Sequence, residues 1–158
     1  MHDISFRPLT VDDVAEMSHI ERLSFSRPTS KEAYTNELAN NERAYYFGLF
    51  DGEQLIAFGG YWLILDEGHI INIAVHPAYR RQGYGELMMR QIIVACMAQG
   101  CKKMTLEVRK HNTPAQYLYQ KLGFVKSGIR PQYYDDPKDD AVIMWLDMLN
   151  LPPVTEEQ

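Results

Sequence analysis

The sequence predicts an α/β protein with a mixed central sheet of about 6–7 strands and about four helices. Three observations carry that expectation. Extended and helical patterns alternate in the order β-α-α-β-β-β-α-β-α-β-β. Asp51-Gly52 joins two apolar extended runs, a hairpin signal that makes antiparallel neighbours. An apolar run ending at Val75 passes through a basic, glycine-containing loop straight into a helical pattern.

Taken in order, Ile4–Leu9 alternates like a short first strand. Thr10 with Asp13 reads as a helix N-cap, followed by Val14, Met17, Ile20 and Leu23 at helical spacing. Pro28 interrupts, Ser30 caps again, and a second helix is expected over Lys31–Leu38, ended by Asn40-Asn41. Ala44–Phe50 and Gln54–Leu65 are the hairpin strands, and Gly59-Gly60 in the second implies a bulge or a close backbone contact there. His69–Val75 is apolar on both faces apart from Asn72 and is therefore expected at the sheet's centre. From Gly85 a helix carries Met88, Met89, Ile92, Ile93 and Cys96 on one face and ends at Gly100. Lys103–Val108 is a fifth strand. Thr113 then caps a helix with Pro114 at its first position, and Ala115, Leu118, Tyr119 and Leu122 are its buried stripe. Strands near Phe124–Ile129 and Ala141–Met148 close a single domain over residues 1–150, and residues 151–158 read as a loose tail.

Composition narrows the function classes. The chain is 46% hydrophobic and 23% charged, the balance of a soluble globular protein. Its longest apolar stretch, Ile56–Leu65, falls well short of the ~20 residues that a spanning helix needs. No basic segment followed by an apolar run opens the chain, so a cytoplasmic location is the default expectation. The net charge of −5 argues against nucleic acid as the main ligand and mildly favours a cationic partner. Cys96 and Cys101 lack metal-ligand spacing and are expected as free thiols. His2, His19, His69, His76 and His111 are scattered, so no metal is expected.

The stretch Asn72-Ile-Ala-Val75-His-Pro-Ala-Tyr-Arg80-Arg-Gln-Gly83-Tyr-Gly85-Glu carries the chemistry. Glycine lets backbone N–H groups turn toward a ligand, and the following helix N-terminus adds partial positive charge. Together they can cradle a pyrophosphate, with Arg80 and Arg81 beside it. By itself the Gly-x-Gly is also an ordinary tight turn. A dinucleotide fingerprint would need a third glycine where Met88 stands, and no Gly-Lys-Ser/Thr for a P-loop occurs.

Arg80-x-x-Gly83-x-Gly85 after a strand resembles the acetyl-CoA loop of the GNAT superfamily of N-acetyltransferases. Within it the chain is most similar to the RimI group, the ribosomal-protein-alanine N-acetyltransferases. Leu106-Glu-Val-Arg109 with Asn112, Leu118-Tyr-Gln-Lys-Leu-Gly-Phe124, and Tyr133-Tyr134 followed by an acidic loop and Asp140-Ala-Val-Ile-Met144 share that likeness. The resemblance implies a mostly antiparallel sheet whose fourth and fifth strands splay around the pantetheine arm of acetyl-CoA. It implies that Ile73, Ala74 and Val75 bind the arm through backbone groups. Arg80, Arg81, Gln82, Gly83, Tyr84, Gly85 and Glu86 would hold the pyrophosphate, and Asn112 would touch the cofactor. One departure is visible: RimI-like chains commonly carry an aromatic after the proline of the first inter-helix loop, and Phe25-Ser-Arg-Pro28-Thr29 has Thr29 there.

Acetyl transfer from a thioester needs a neutral amine and a proton for the departing thiolate. An α-amine with a pKa of about 7.7–8.0 is roughly 15% neutral at pH 7, whereas lysine is neutral at only about 0.04%. Glu107 shares a strand face with Thr105 and Arg109, and by pattern alone it reads as a solvated carboxylate. The resemblance makes it the general base, acting through a water. Tyr119 reads as a core tyrosine that the resemblance also makes the acid for the thiolate; packed ring and reaching hydroxyl are compatible. Tyr133 and Tyr134 would wall the acceptor site or serve only as strand aromatics. Asp135, Asp136, Asp139 and Asp140 would suit a basic substrate terminus or form a solvated loop.

The expected activity is therefore acetylation of a protein N-terminal amine by direct attack on acetyl-CoA, with an N-terminal alanine of a ribosomal protein favoured by resemblance. No nucleic acid, membrane or metal takes part. A GNAT enzyme for a small-molecule amine or a lysine side chain, and a non-catalytic acetyl-CoA-binding regulatory module, are the alternatives.

Overall fold

The computed structural model describes residues 3–150 apart from Ser26 and Asp136. The expected tail at 151–158, His2 and Asp136 therefore lie outside the described residues. The strands are β1 (Ile4–Pro8), β2 (Ala44–Asp51), β3 (Gln54–Ile64), β4 (Glu67–Val75), β5 (Lys103–Arg109), β6 (Val125–Asp135) and β7 (Lys138–Asp147). The helices are α1 (Val14–Ser24), α2 (Lys31–Asn40), α3 (Tyr84–Ala98) and α4 (Thr113–Lys121). All seven strands form one sheet in the order β1-β2-β3-β4-β5-β7-β6. Every pairing is antiparallel except β4 with β5. Among the described residues no helix is long and apolar enough to cross a membrane.

Each face of the sheet buries its own apolar cluster. On one side α1 and α2 contribute Val14, Met17, Ile20 and Tyr34, packed on Tyr46, Phe50, Leu55 and Phe58. On the other, α3 sets Met88, Met89, Ile92, Ile93 and Cys96 against Tyr61, Met104, Leu106 and Met144. Each such side chain contributes about 1.5–3 kcal/mol when fully buried, so these two stripes orient the helices. The stripe expected on α1 is corrected at its last member: Leu23 is exposed, and Glu21, four residues after Met17, is buried instead.

Several local expectations shift by a residue or more. The cap of α4 is Asn112, whose side chain accepts from the Ala115 N–H at 3.2 Å, so Thr113 is inside the helix. Asn outranks Thr as a cap, and here it precedes it by one position. Gln116 is the best-buried residue within α4, donating to the Arg109 and Lys110 carbonyls at 3.0 and 2.8 Å. Around Gly59-Gly60 the register does shift, but the extra residue is Ile71 on β4, between Ile70 opposite Tyr61 and Asn72 opposite Gly60. The glycines serve close approach. A Cβ on Gly59 would lie 2.4 Å from Ile73 Cδ1, and one on Gly60 would lie 2.6 Å from the Tyr46 ring.

The cysteines are not free. Cys96 and Cys101 form a disulfide with Cα atoms 5.4 Å apart. The cause is the end of α3, where Gly100 at φ +94° turns the chain back and the Cys101 N–H donates to the Cys96 carbonyl at 3.1 Å. A five-residue spacing matches no metal or redox motif, and a helix-terminating turn brings the two cysteines together by another route.

Candidate active site

The parallel pairing of β4 with β5 is short: Glu67, Gly68 and His69 lie opposite Lys103, Met104 and Thr105, and there it stops. Beyond it β5 stays with β7 through Arg109, while β4 stays with β3 through Val75. The strands fork. β4 stands at the sheet's centre as expected, and the fork explains why Ile70–Ile73 are only half-buried there. A cavity of about 650 Å³ fills the fork. Ile70–Ile73 and Leu106–Arg109 line its two arms, Asn112, Ala115 and Tyr119 of α4 one end, Thr29 and its neighbours on the α1–α2 connection another, and Tyr133 and Tyr134 the rim.

Of the sequence-predicted residues, Ile73, Glu107, Asn112, Tyr119, Tyr133 and Tyr134 thus meet at one cavity. Glu107 is exposed on β5 between buried Leu106 and Val108. Tyr119 packs edge-on against Phe124 at 5.9 Å, and burial pushes its phenol above the ordinary tyrosine range. Tyr134 is pushed up to about 12, by burial first and then by Tyr133 and Glu107, with Arg109 acting in the opposite sense. The Arg109 guanidinium lies 4.2 Å from the Tyr134 ring and donates to the Pro137 carbonyl at 2.7 Å, so it holds the β6–β7 turn over the rim. His111, on the β5–α4 connection, lies 2.8 Å from the Asp139 carboxylate and ties the β6–β7 hairpin to that connection, while the Asp140 carboxylate accepts from the Gln132 N–H at 2.9 Å within the hairpin. Of the acidic run, Asp135 lines the cavity; Asp139 and Asp140 hold backbone.

The Arg80–Glu86 segment stands at the end of β4, apart from the cavity lining. Arg81 (φ +61°) and Gly83 (φ +86°) are both left-handed, and Gly83 is the N-cap of α3 without any side-chain cap bond. The cap position therefore offers the first-turn amides of α3 no side-chain acceptor, and a Cβ at Gly83 would meet nothing within 4 Å. That donor set fits a diphosphate. Arg80 donates from Nε to the Val75 carbonyl at 3.1 Å and from Nη2 to Ser24 Oγ at 2.9 Å, latching the loop to α1. Glu86 accepts from Lys121 and from Arg90, both of which lower its pKa, and the Lys121 bond joins α3 to α4. Ala74 is buried on the α1–α2 side, leaving its backbone as the part that could serve a ligand.

Sequence reasoning missed a buried polar cluster on the β4 side. Glu21 of α1 is 2% exposed and lines the cavity. The Tyr34 hydroxyl donates to Glu21 Oε1, Asn72 Nδ2 reaches the same oxygen at 3.3 Å and the Tyr34 oxygen at 2.8 Å, and the Thr29 N–H donates to Oε2 at 3.2 Å. Burial raises the Glu21 pKa, while the bonds from Tyr34 and Thr29 work against it. Thr29, the departure from the family pattern, therefore enters this cluster through its backbone N–H on Glu21 and through its side chain on Tyr34. The signal was available: Glu21 falls on the helical row of Met17, and only its charge removed it from the expected stripe.

Comparison with known proteins agrees with this geometry. Residues 14–124 match the model of the acetyltransferase (GNAT) family. The chain is 35% identical over 140 residues to the ribosomal protein bS18-alanine N-acetyltransferase of Escherichia coli K12, covering 87% of this chain and 93% of that protein. A Bacillus subtilis protein provisionally assigned the same activity is 37% identical over 140 residues, covering 89% and 93%. The crystal structure of the ribosomal-protein-S18-alanine N-acetyltransferase from Escherichia coli superposes with a TM-score of 0.86 at 32% identity, covering 99% of both chains. On the forked sheet, the glycine-capped helix and these matches, the chain belongs to the GNAT family of acetyl-CoA-dependent N-acetyltransferases.

Proposed function

We propose that this enzyme acetylates the N-terminal amine of a ribosomal protein, with the N-terminal alanine of bS18 as acceptor, in the cytoplasm. The observation that carries the reading is the β4–β5 fork, where Glu107 and Tyr119 line one cavity that also opens on the α1–α2 connection. Acetyl-CoA supplies the activated acetyl group. The free edges of β4 and β5 receive its pantetheine arm in strand-like fashion, and the amides at the start of α3 receive the diphosphate. Glu107, through one water, accepts the proton that the α-ammonium must lose before attack. The neutral nitrogen then attacks the thioester carbonyl in a ternary complex, forming the amide as the carbon–sulfur bond breaks. Tyr119 gives its proton to the departing thiolate, and the proton that the nitrogen sheds on becoming an amide restores the phenol; burial suits Tyr119 to that task because it keeps the phenol protonated in the free enzyme. No covalent acyl-enzyme is needed. A ribosomal acceptor places the enzyme in the cytoplasm, where the Cys96–Cys101 bond meets a reducing pool.

The test is mass spectrometry of an N-terminal peptide library after reaction with acetyl-CoA. Acetylation of alanine-initiated peptides is expected. Turnover confined to small amines or lysine side chains would overturn the acceptor assignment. Stabilisation by acetyl-CoA with no product from any amine would make the chain a sensing module instead.

A further inference from the structure

Glu21 has no part in the steps above, yet it is a nearly inaccessible carboxylate on the cavity wall. Taking a carboxylate out of water is costly unless partners compensate it. Its partners here are a phenol, a side-chain amide and a backbone N–H, all neutral.

The bonding is also incomplete. An ionised carboxylate offers about four acceptor positions. Among the described residues, Oε1 receives Tyr34 and Asn72, whereas Oε2 receives only the Thr29 N–H. Because Tyr34 and Asn72 are bonded to each other, the carboxylate is held in one orientation. A fixed buried anion with an open acceptor position, placed where an acceptor must enter, is suited to a small cation that donates hydrogen bonds.

We propose that Glu21 docks the acceptor's charged α-amine: the ammonium of the substrate N-terminus donates to Glu21 Oε2 on the β4 side of the fork before its proton passes to the water held by Glu107. This rests on the reading of the chain as an N-terminal acetyltransferase. Glu21 itself takes no proton. The consequence is selectivity for an unblocked N-terminus at the binding step, ahead of chemistry.

Calorimetry on the enzyme saturated with coenzyme A, which cannot react, tests this at pH 6.5. The titrants are a short alanine-initiated peptide and the same peptide with hydrogen in place of its amino group. The wild type is expected to bind the amine at least tenfold more tightly. Glu21→Gln is expected to bring the two peptides within twofold, with coenzyme A affinity unchanged. Equal affinities in the wild type would overturn the proposal without any variant, which matters if Glu21→Gln folds poorly. A tenfold preference retained by a folded Glu21→Gln would also overturn it. Failure of the parent reading looks different, since the wild type would then acetylate no peptide N-terminus at all.

Discussion

The two ends of the reaction cavity are made from different materials. Toward the proposed cofactor end, the parts are backbone: unpaired edges of β4 and β5, and uncapped amides behind Gly83. Toward the acceptor end they are side chains delivered by α1, α2, β4 and the β6–β7 turn, held by Glu21–Tyr34–Asn72 on one side and Arg109–Tyr134 on the other. Backbone recognition needs only a strand that loses its neighbour and a glycine in the right turn. Side-chain recognition needs several distant segments to meet, so it can be retuned one residue at a time while the cofactor end stays as it is.

The junction of the two ends is where the largest effect is expected. Tyr119→Phe should lower kcat about 100-fold, the lower part of the range for losing a general acid. Acetyl-CoA affinity and melting temperature should hardly move, because the ring contact with Phe124 is kept. Steady-state kinetics beside a thermal melt separates these effects. An unchanged kcat would return Tyr119 to a purely packing role.

A backbone site should respond to conformation and not to bulk, and Gly83 isolates the two. Alanine there has open space but must adopt φ +86°, at a cost of about 1–2 kcal/mol. Gly83→Ala is therefore expected to weaken coenzyme A binding about tenfold by calorimetry, with the acceptor KM unaltered. On the acceptor side of the comparison, Glu107→Gln should cost about tenfold at pH 6. The deficit should vanish above pH 9, where an α-amine with a pKa near 7.7–8.0 is already neutral. A deficit independent of pH would mean that Glu107 positions the substrate and does not take its proton.

The same division explains what could be read in advance. The succession of elements along the chain, the hairpin at Asp51-Gly52 and the α3 stripe follow from periodicity and local turn chemistry, and all stand in the structure. The position of Glu107 on β5 follows from side-chain alternation along one strand, although Thr105 on the same face is buried. Glu21 did not emerge, since a carboxylate on an apolar helical row is read as the edge of the stripe unless its partners are known, and Tyr34 and Asn72 lie 13 and 51 residues away. Likewise the Cys96–Cys101 pairing depends on the turn at Gly100, and the bulge at Ile71 on the register of two strands. Local rules see neither.

The smallest expected effect lies outside both ends and serves as their control. Asp13 takes two bonds from Arg7, each 3.0 Å, and one from the Thr10 N–H at 2.8 Å, closing the capping box before α1. The Arg7 bonds lower its pKa below the ordinary 3.8, against the upward pull of burial. A carboxylate with a depressed folded-state pKa stabilises the fold above its unfolded value and loses that contribution as pH falls through the folded one. Arg7 is half exposed, so screening leaves the cap as the main part, about 1 kcal/mol. Asp13→Asn should then lower the urea midpoint by a constant amount from pH 5 to 8, and the gap should close below about pH 4 as the wild type protonates. Neither Asp13 nor Arg7 lines the cavity, so kcat and both KM values should stay at wild-type levels. A kinetic change in this variant would show that α1 transmits strain to Glu21, and the acceptor wall would then depend on the helix that carries it as well as on its own hydrogen bonds.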